Sequence, residues 1–216
     1  MDRIYRHQRH VYDLTRKYYL LGRDRLIHRL APPPGGPVLE IGCGTARNLV
    51  QAARCYPDVV FCGIDISAEM LATAHQVVSR AGLDRRIHLA RADATAFDPV
   101  ELFGVAGFSR VFASYSLSMI PEWPAAIEQA MARLLPQGEL HIVDFGGQEH
   151  LPGWFRVGLR KWLGLFHVEP RDGLEAELRR RDIDASVARP YLGYAQYALC
   201  RHSGHGPSAS RALASS

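Results

Sequence analysis

Long apolar runs are missing from this 216-residue chain. No stretch free of Asp, Glu, Lys and Arg exceeds 11 residues, the length of Val111–Pro121. A membrane-spanning helix needs about 18–20, so a span is excluded. The opening Met1-Asp2-Arg3-Ile4-Tyr5-Arg6 mixes charges with no apolar run behind it. It does not read as a secretory signal, and a cytoplasmic location is expected. Cysteine is sparse: the four residues 43, 55, 62 and 200 form no C-x-x-C pair and have no histidine cluster at zinc spacing. They are expected to be reduced thiols, and no metal is expected. Lysine is nearly absent, with Lys17 and Lys161 set against 24 arginines. Arginine suits phosphate recognition, but a skew of this kind also follows from genomic composition and assigns no ligand by itself. What remains is ordinary: 47% hydrophobic and 22% charged residues exclude a disordered or collagenous chain. The length fits one domain with extensions.

Charge is unevenly placed. Residues 1–30 hold seven Arg and one Lys against three Asp, a net of +5, so the other 186 residues sum to −1. This basic arm suits an anionic surface such as a bilayer, a nucleic acid or an acidic substrate, or it is a solvated helix face. Val11, Leu14, Tyr18, Leu21, Leu26, Ile27 and Leu30 recur at helical steps, with Gly22 as a break. The proline-rich 31–37 segment then stops any helix. From Val38 short apolar runs alternate with helical patterns. Strands are predicted at Val38–Ile41, Val59–Ile64, Arg86–Ala90, Ser109–Ser114 and Glu139–Val143, and helices at Asn48–Arg54, Ala68–Ala81 and Ala125–Leu134. Such alternation predicts parallel βαβ units in a doubly wound α/β sheet. Leu151–Phe166 interleaves aromatics with Arg156, Arg160 and Lys161, which suits either an interfacial helix or a core helix. A charged helix at Leu174–Arg181 and a closing hairpin, Ile183–Ala188 with Gly193–Cys200, complete a domain over residues 31–201. The Ser/Gly/Ala/Pro-rich tail, 202–216, is expected to be disordered.

The chemistry concentrates at Val38-Leu39-Glu40-Ile41-Gly42-Cys43-Gly44-Thr45-Ala46, a strand running into a glycine turn before a helix. Gly42 and Gly44 let backbone approach a ligand. Asp65, 21 residues after Gly44, ends the next strand, where an acid accepts the hydroxyls of a ribose. A dinucleotide fingerprint fails because Arg47 stands in the sixth position, and no Walker lysine is present.

This segment resembles the class I S-adenosylmethionine-dependent methyltransferases over about residues 36–146. Five elements occur in order: Glu40–Ala46, Gly63–Leu71 around Asp65, Ala92-Asp93-Ala94-Thr95, Ser114–Met119, and Leu135–Leu140. Ala46 replaces the third motif glycine, which predicts a small loop shift. The resemblance implies S-adenosylmethionine as cofactor and a seven-stranded, mostly parallel sheet. It also implies a binding set of Glu40, Gly42, Cys43, Gly44, Asp65, Ile66, Met70, Asp93, Ala94 and Ser114. Asp65 would take the ribose, and Asp93 with Ala94 the adenine edge. The Asn/Asp-Pro-Pro-Tyr segment of nucleobase and glutamine methylases is absent after the fourth strand.

Taken with its arm, Phe145-Gly146 and Gly193–Tyr197, the chain is similar to the bacterial betaine-lipid methyltransferases. Those enzymes methylate the amine of diacylglycerylhomoserine three times to give diacylglyceryl-trimethylhomoserine. The resemblance implies a lipid substrate, peripheral attachment to an anionic bilayer through the basic arm acting as a lid, and no nucleic-acid partner. Tyr5, Tyr12, Tyr19 and Tyr115 are then candidates to surround an amine becoming quaternary, since aromatic faces hold such cations. Two alternatives stay open: a soluble small-molecule N- or O-methyltransferase, and a nucleic-acid-binding protein that keeps the donor site without catalysis.

Overall fold

The computed structural model describes residues 20–164 and 168–203. Tyr5, Tyr12 and Tyr19, most of the basic arm, and the tail beyond residue 203 lie outside the described residues. A short helix α1 (Arg23–Arg29) precedes the sheet. The elements then run β1 (Val38–Ile41), α2 (Arg47–Cys55), β2 (Phe61–Asp65), α3 (Ala68–Arg80), β3 (Ile87–Arg91), α4 (Pro99–Phe103) and β4 (Phe108–Ser114). A 3-10 turn (Leu117–Met119) leads to α5 (Trp123–Ala132), β5 (Leu134–Phe145), α6 (Gly153–Gly164), α7 (Leu174–Arg180), β6 (Asp184–Ala188) and β7 (Ala195–Arg201).

The seven strands form one sheet in the order β3-β2-β1-β4-β5-β7-β6. The first five are parallel, and β7 runs antiparallel between β5 and β6. The order reverses between β1 and β4, so the loops after those strands splay apart there. That is where open α/β sheets bind ligands.

Side chains alternate along each strand, and both faces are covered. Val38, Phe61, Phe112 and Val143 pack with Leu26, Ile27, Leu49, Leu71 and Leu163. Leu39, Cys62, Val111 and Ile142 pack on the other face with Ile127, Ala130, Leu174 and Leu178. Burial on both faces explains the near-continuous apolar runs of β1 and β4.

The predicted strands and helices fall within a residue or two of those observed, with one exception. β5 starts at Leu134, five residues before the predicted Glu139. Pro136-Gln137-Gly138 reads as a turn, and the structure does bend there. Gln137 is left-handed (φ 62) and the β4–β5 register shifts between Phe108 and Arg110. The pairing resumes across that irregularity rather than beginning after it.

The root of the arm belongs to the core. Leu20, Leu26, Ile27 and Leu30 are buried. The Tyr115 hydroxyl donates to the Leu21 carbonyl at 2.7 Å, and the Tyr197 hydroxyl donates to the Gly22 carbonyl. Arg110 Nε donates to the Leu30 carbonyl at 2.7 Å. An expected boundary at residue 30 therefore cuts through packed structure, because charge and the proline run mask an apolar helix face. Gly22 is required by geometry: its φ is +85, and a methyl group there would sit 1.8 Å from the Tyr197 hydroxyl. Gly22→Ala should lower stability by about 2–3 kcal/mol, from left-handed strain plus the broken tyrosine clasp. Urea unfolding checks this, and an unchanged midpoint would show the clasp to be dispensable.

Candidate active site

Three strand ends and the loops leaving them build the site. At the end of β1 the chain turns through Gly42 (φ 67) and Gly44 (φ 53). A Cβ at Gly42 would lie 2.5 Å from Ser116 Cβ, so glycine is needed for the β1 and β4 loops to close on each other. The Ser116 hydroxyl fastens that contact, donating to the Ile41 carbonyl at 2.8 Å. Beside Gly44, by contrast, no atom of the described residues other than its chain neighbours lies within 4 Å of where a Cβ would stand. The backbone there borders open space that a ligand can approach. Ala46 is left-handed (φ 62) and fully buried, so the chain keeps the glycine-like turn at a strain of about 1–2 kcal/mol.

Asp65 organises this loop. Its Oδ2 accepts the Gly44 N–H at 2.8 Å and its Oδ1 accepts the Ser67 N–H at 2.9 Å. Each carboxylate oxygen has a further lone pair for a ribose hydroxyl. Ser67 caps α3, its hydroxyl accepting the Met70 N–H at 3.2 Å, which fixes Met70 close behind Asp65. Ile66 is exposed, an apolar side chain that a flat base can cover. Cys43 is buried against Gly63, with its thiol pKa pushed well up by burial, so it acts as packing and contributes its backbone. At the end of β3, Asp93 Oδ1 accepts both the Thr95 N–H (2.8 Å) and the Thr95 hydroxyl (2.7 Å). Those bonds hold its carboxyl below the usual range and leave Oδ2 available, with Ala94 adjacent.

Glu40 lies fully buried beneath the glycine turn. Oε1 accepts the Asn48 amide at 2.7 Å, while Oε2 has no hydrogen-bond partner among the described residues. Burial raises its pKa to about 8 against the lowering effects of Asn48 and of the nearby Arg23 cation. Arg23, 7% exposed, reaches in from the arm root, and its charge is felt at both Glu40 and Tyr115. Sequence reasoning did not assign Arg23 this place, and its position just inside the Gly22 break was the available signal.

Other groups at this edge are also polar and enclosed. The Ser114 hydroxyl at the end of β4 and the Gln148 side-chain amide beyond β5 are buried, and neither finds a partner among the described residues. Buried polar atoms seldom stay unpaired in a finished structure. A polar ligand at this edge would satisfy them. Asp144 at the end of β5 is fully buried and accepts the N–H groups of Ser118 (2.9 Å) and Phe145 (2.8 Å). Burial raises its pKa to about 6, so it is charged at neutral pH.

Tyr115 does not present a face to a substrate here, contrary to expectation. It is 3% exposed, its hydroxyl is given to Leu21, and its ring stands edge-on to Phe145 at 4.7 Å. Its left-handed backbone (φ 56) turns it toward the arm, which it anchors. His141 and Trp123 are packing groups: His141 is buried against Glu139 at 3.1 Å, and Arg171 covers the Trp123 ring at 6.0 Å.

Residues 38–138 match a family model described as a methyltransferase domain. Over those residues the sheet order, the glycine turn and the acid at Asp65 agree with the match, and S-adenosylmethionine is the cofactor that such a methyltransferase domain takes. Among curated proteins, the chain is 35% identical over 119 residues to a phosphatidylethanolamine N-methyltransferase of Cereibacter sphaeroides, covering 55% of each. It is 33% identical over 122 residues to a 27-O-demethylrifamycin SV methyltransferase of Amycolatopsis mediterranei, covering 56% of this chain and 43% of that one. The chain thus spans about half the length of the curated relatives it matches. A solved S-adenosylmethionine-dependent methyltransferase from Aquifex aeolicus superposes with a TM-score of 0.66 at 16% identity, over 86% of this chain and 92% of that one. At that identity the likeness speaks for the fold alone.

The residues present fit the cofactor. The open side of Gly44, the spare lone pairs of Asp65, and the Asp93 and Glu40 oxygens that have no partner among the described residues would take its backbone-facing, ribose, adenine and ammonium parts. Glu40 gives this fit a pH signature. Below about 8 its carboxyl holds a proton, and a cation placed against it lowers the pKa. Binding of S-adenosylmethionine should therefore release a proton, and affinity should rise with pH up to about 8 and level off above, by at most tenfold per unit. Calorimetry in buffers of different ionisation enthalpy measures this, and Glu40→Gln should abolish the proton release. Equal proton release by that variant would place the titrating group elsewhere.

Proposed function

We propose that the protein is an N-methyltransferase that methylates the amine of diacylglycerylhomoserine, up to three times, to form diacylglyceryl-trimethylhomoserine at a membrane surface. The observation that carries the reading is the arm root clasped at the mouth of the donor site. Leu21 and Gly22 are held by Tyr115 just past β4 and Tyr197 opposite β5, so the root of the arm sits at the edge where an acceptor must arrive. The phosphatidylethanolamine N-methyltransferase relative supports an amine on a lipid headgroup as the acceptor class.

S-adenosylmethionine supplies a methyl group already activated by its sulfonium charge. The chain's own task is alignment and exclusion of water. Asp65, Asp93 and Glu40 fix the donor side. The Asp144 charge beneath the edge favours a cationic acceptor and a quaternary product, and the Gln148 amide, unpartnered among the described residues, has both a donor and an acceptor for the amino-acid headgroup. The attacking amine must shed its proton to solvent before transfer.

A soluble small-molecule O-methyltransferase is the second reading, favoured by the rifamycin-class relative at nearly the same identity. Lipid mass spectrometry of a host that makes diacylglycerylhomoserine and expresses this chain separates the two. The lipid reading predicts accumulation of mono-, di- and trimethylated species. Their absence, with donor binding intact, would favour the soluble enzyme.

A further inference from the structure

Among the described residues no helix is long and apolar enough to cross a membrane. An enzyme that works on a headgroup must then hold the bilayer from outside. We propose that α6 is a membrane-docking element that seats the face carrying Trp154, Val157 and Lys161, with Phe155 and Arg156 at its tip, in the headgroup region of an anionic bilayer. This rests on the lipid-substrate reading above.

Helix α6 is only half packed. Leu159, Trp162 and Leu163 turn toward the core. The opposite side, reached by steps of three and four, holds Trp154, Val157 and Lys161. Trp154 is 79% exposed, Val157 54% and Phe155 41%, and the Trp154 and Phe155 rings meet edge to face at 5.7 Å in solvent. Two neighbouring aromatics standing in water at a helix start lose nothing by entering an interface, where tryptophan rings are favoured.

Charge selects the partner. Arg156 and Lys161 form no ion pair among the described residues, whereas nearby acids are already neutralised: Asp172 by Arg160 (2.8 Å), Glu169 by Arg171 (3.2 Å) and Glu149 by Arg189 (3.8 Å). What is left facing out is apolar and positive, which matches anionic headgroups. Arg160 also donates to the Gly147 carbonyl at 3.1 Å, locking α6 to the loop that leaves β5. That loop lies on the same edge as the donor site and the arm root. One docking event would thus bring the active-site mouth to the headgroups.

The experiment uses the full chain and flotation with vesicles of phosphatidylcholine, with and without phosphatidylglycerol, neither of which contains the proposed substrate. The proposal expects binding to the mixed vesicles, which salt weakens. Trp154→Glu/Val157→Glu should lose at least tenfold in partitioning, and Arg156→Gln and Lys161→Gln about fivefold each, the equivalent of ~1 kcal/mol per basic residue. Donor affinity and turnover of detergent-dispersed substrate should be unchanged in all of them, which separates lost docking from lost folding. Iodide quenching of Trp154 in a Trp123→Phe/Trp162→Phe background gives a second reading: accessible in solution, shielded on vesicles. Shielding already present without vesicles would mean the chain's own arm covers this face, and would overturn the proposal. So would flotation unaffected by the substitutions. Vesicle docking without any lipid methylation would instead overturn the substrate reading and leave α6 as a docking element.

Discussion

Replacing Asp65 by alanine should weaken S-adenosylmethionine binding by about 3 kcal/mol or more, over a hundredfold. The lost carboxylate would cost about 1.5–3 kcal/mol as a charged hydrogen-bond partner of the ribose. The structure adds a second part. The same carboxylate accepts the Gly44 and Ser67 N–H groups, so its removal frees the glycine turn and the start of α3 together. Asp65→Asn keeps one acceptor oxygen and should lie between the two. Titration calorimetry measures the affinities, and urea unfolding reports how much of the effect is a loosened loop. Unchanged affinity in the alanine variant would remove Asp65 from the donor site.

Truncation of the arm should have opposite outcomes on either side of residue 20. Deleting residues 1–19 removes most of the basic charge and leaves the described fold intact. Deleting residues 1–30 also removes Leu26, Ile27 and Leu30, all essentially fully buried. At about 1.5–3 kcal/mol each this sums to about 5–9 kcal/mol, comparable with the whole stability of a domain. It further strips Tyr115 and Tyr197 of their carbonyl partners and Arg110 Nε of the Leu30 carbonyl. The longer deletion should be unfolded at 25 °C by circular dichroism. The shorter one should fold, bind donor normally and turn over lipid poorly. A folded, active product of the longer deletion would contradict the account of the arm root.

The sheet was legible because its pattern is local. Each parallel strand is a short apolar run and each glycine turn follows directly in sequence, so β1, Gly42, Gly44 and Asp65 can be placed without knowing any distant contact. The antiparallel hairpin at the end was legible for the same reason. What failed to show were pairings between distant residues. Tyr115 reads as an aromatic near a reaction site, yet its hydroxyl meets Leu21 from 94 positions away. Nothing near either residue announces that bond. Glu40 and Asn48 show the same limit: the motif names Glu40, but only packing reveals that one of its oxygens is satisfied and the other is not. For α6, composition left core and interface equally open. Burial of Leu163 and exposure of Trp154 divide the helix between the two.

The lipid assignment is tested most directly with purified protein. Full-length chain would be incubated with methyl-labelled S-adenosylmethionine and diacylglycerylhomoserine in mixed vesicles, and the lipid fraction analysed by mass spectrometry. The account predicts label on the headgroup amine in successive species carrying one, two and three methyl groups, with loss of all three in Asp65→Ala. Donor binding of normal affinity with no label in the lipid, and label instead on a water-soluble hydroxyl acceptor, would contradict it.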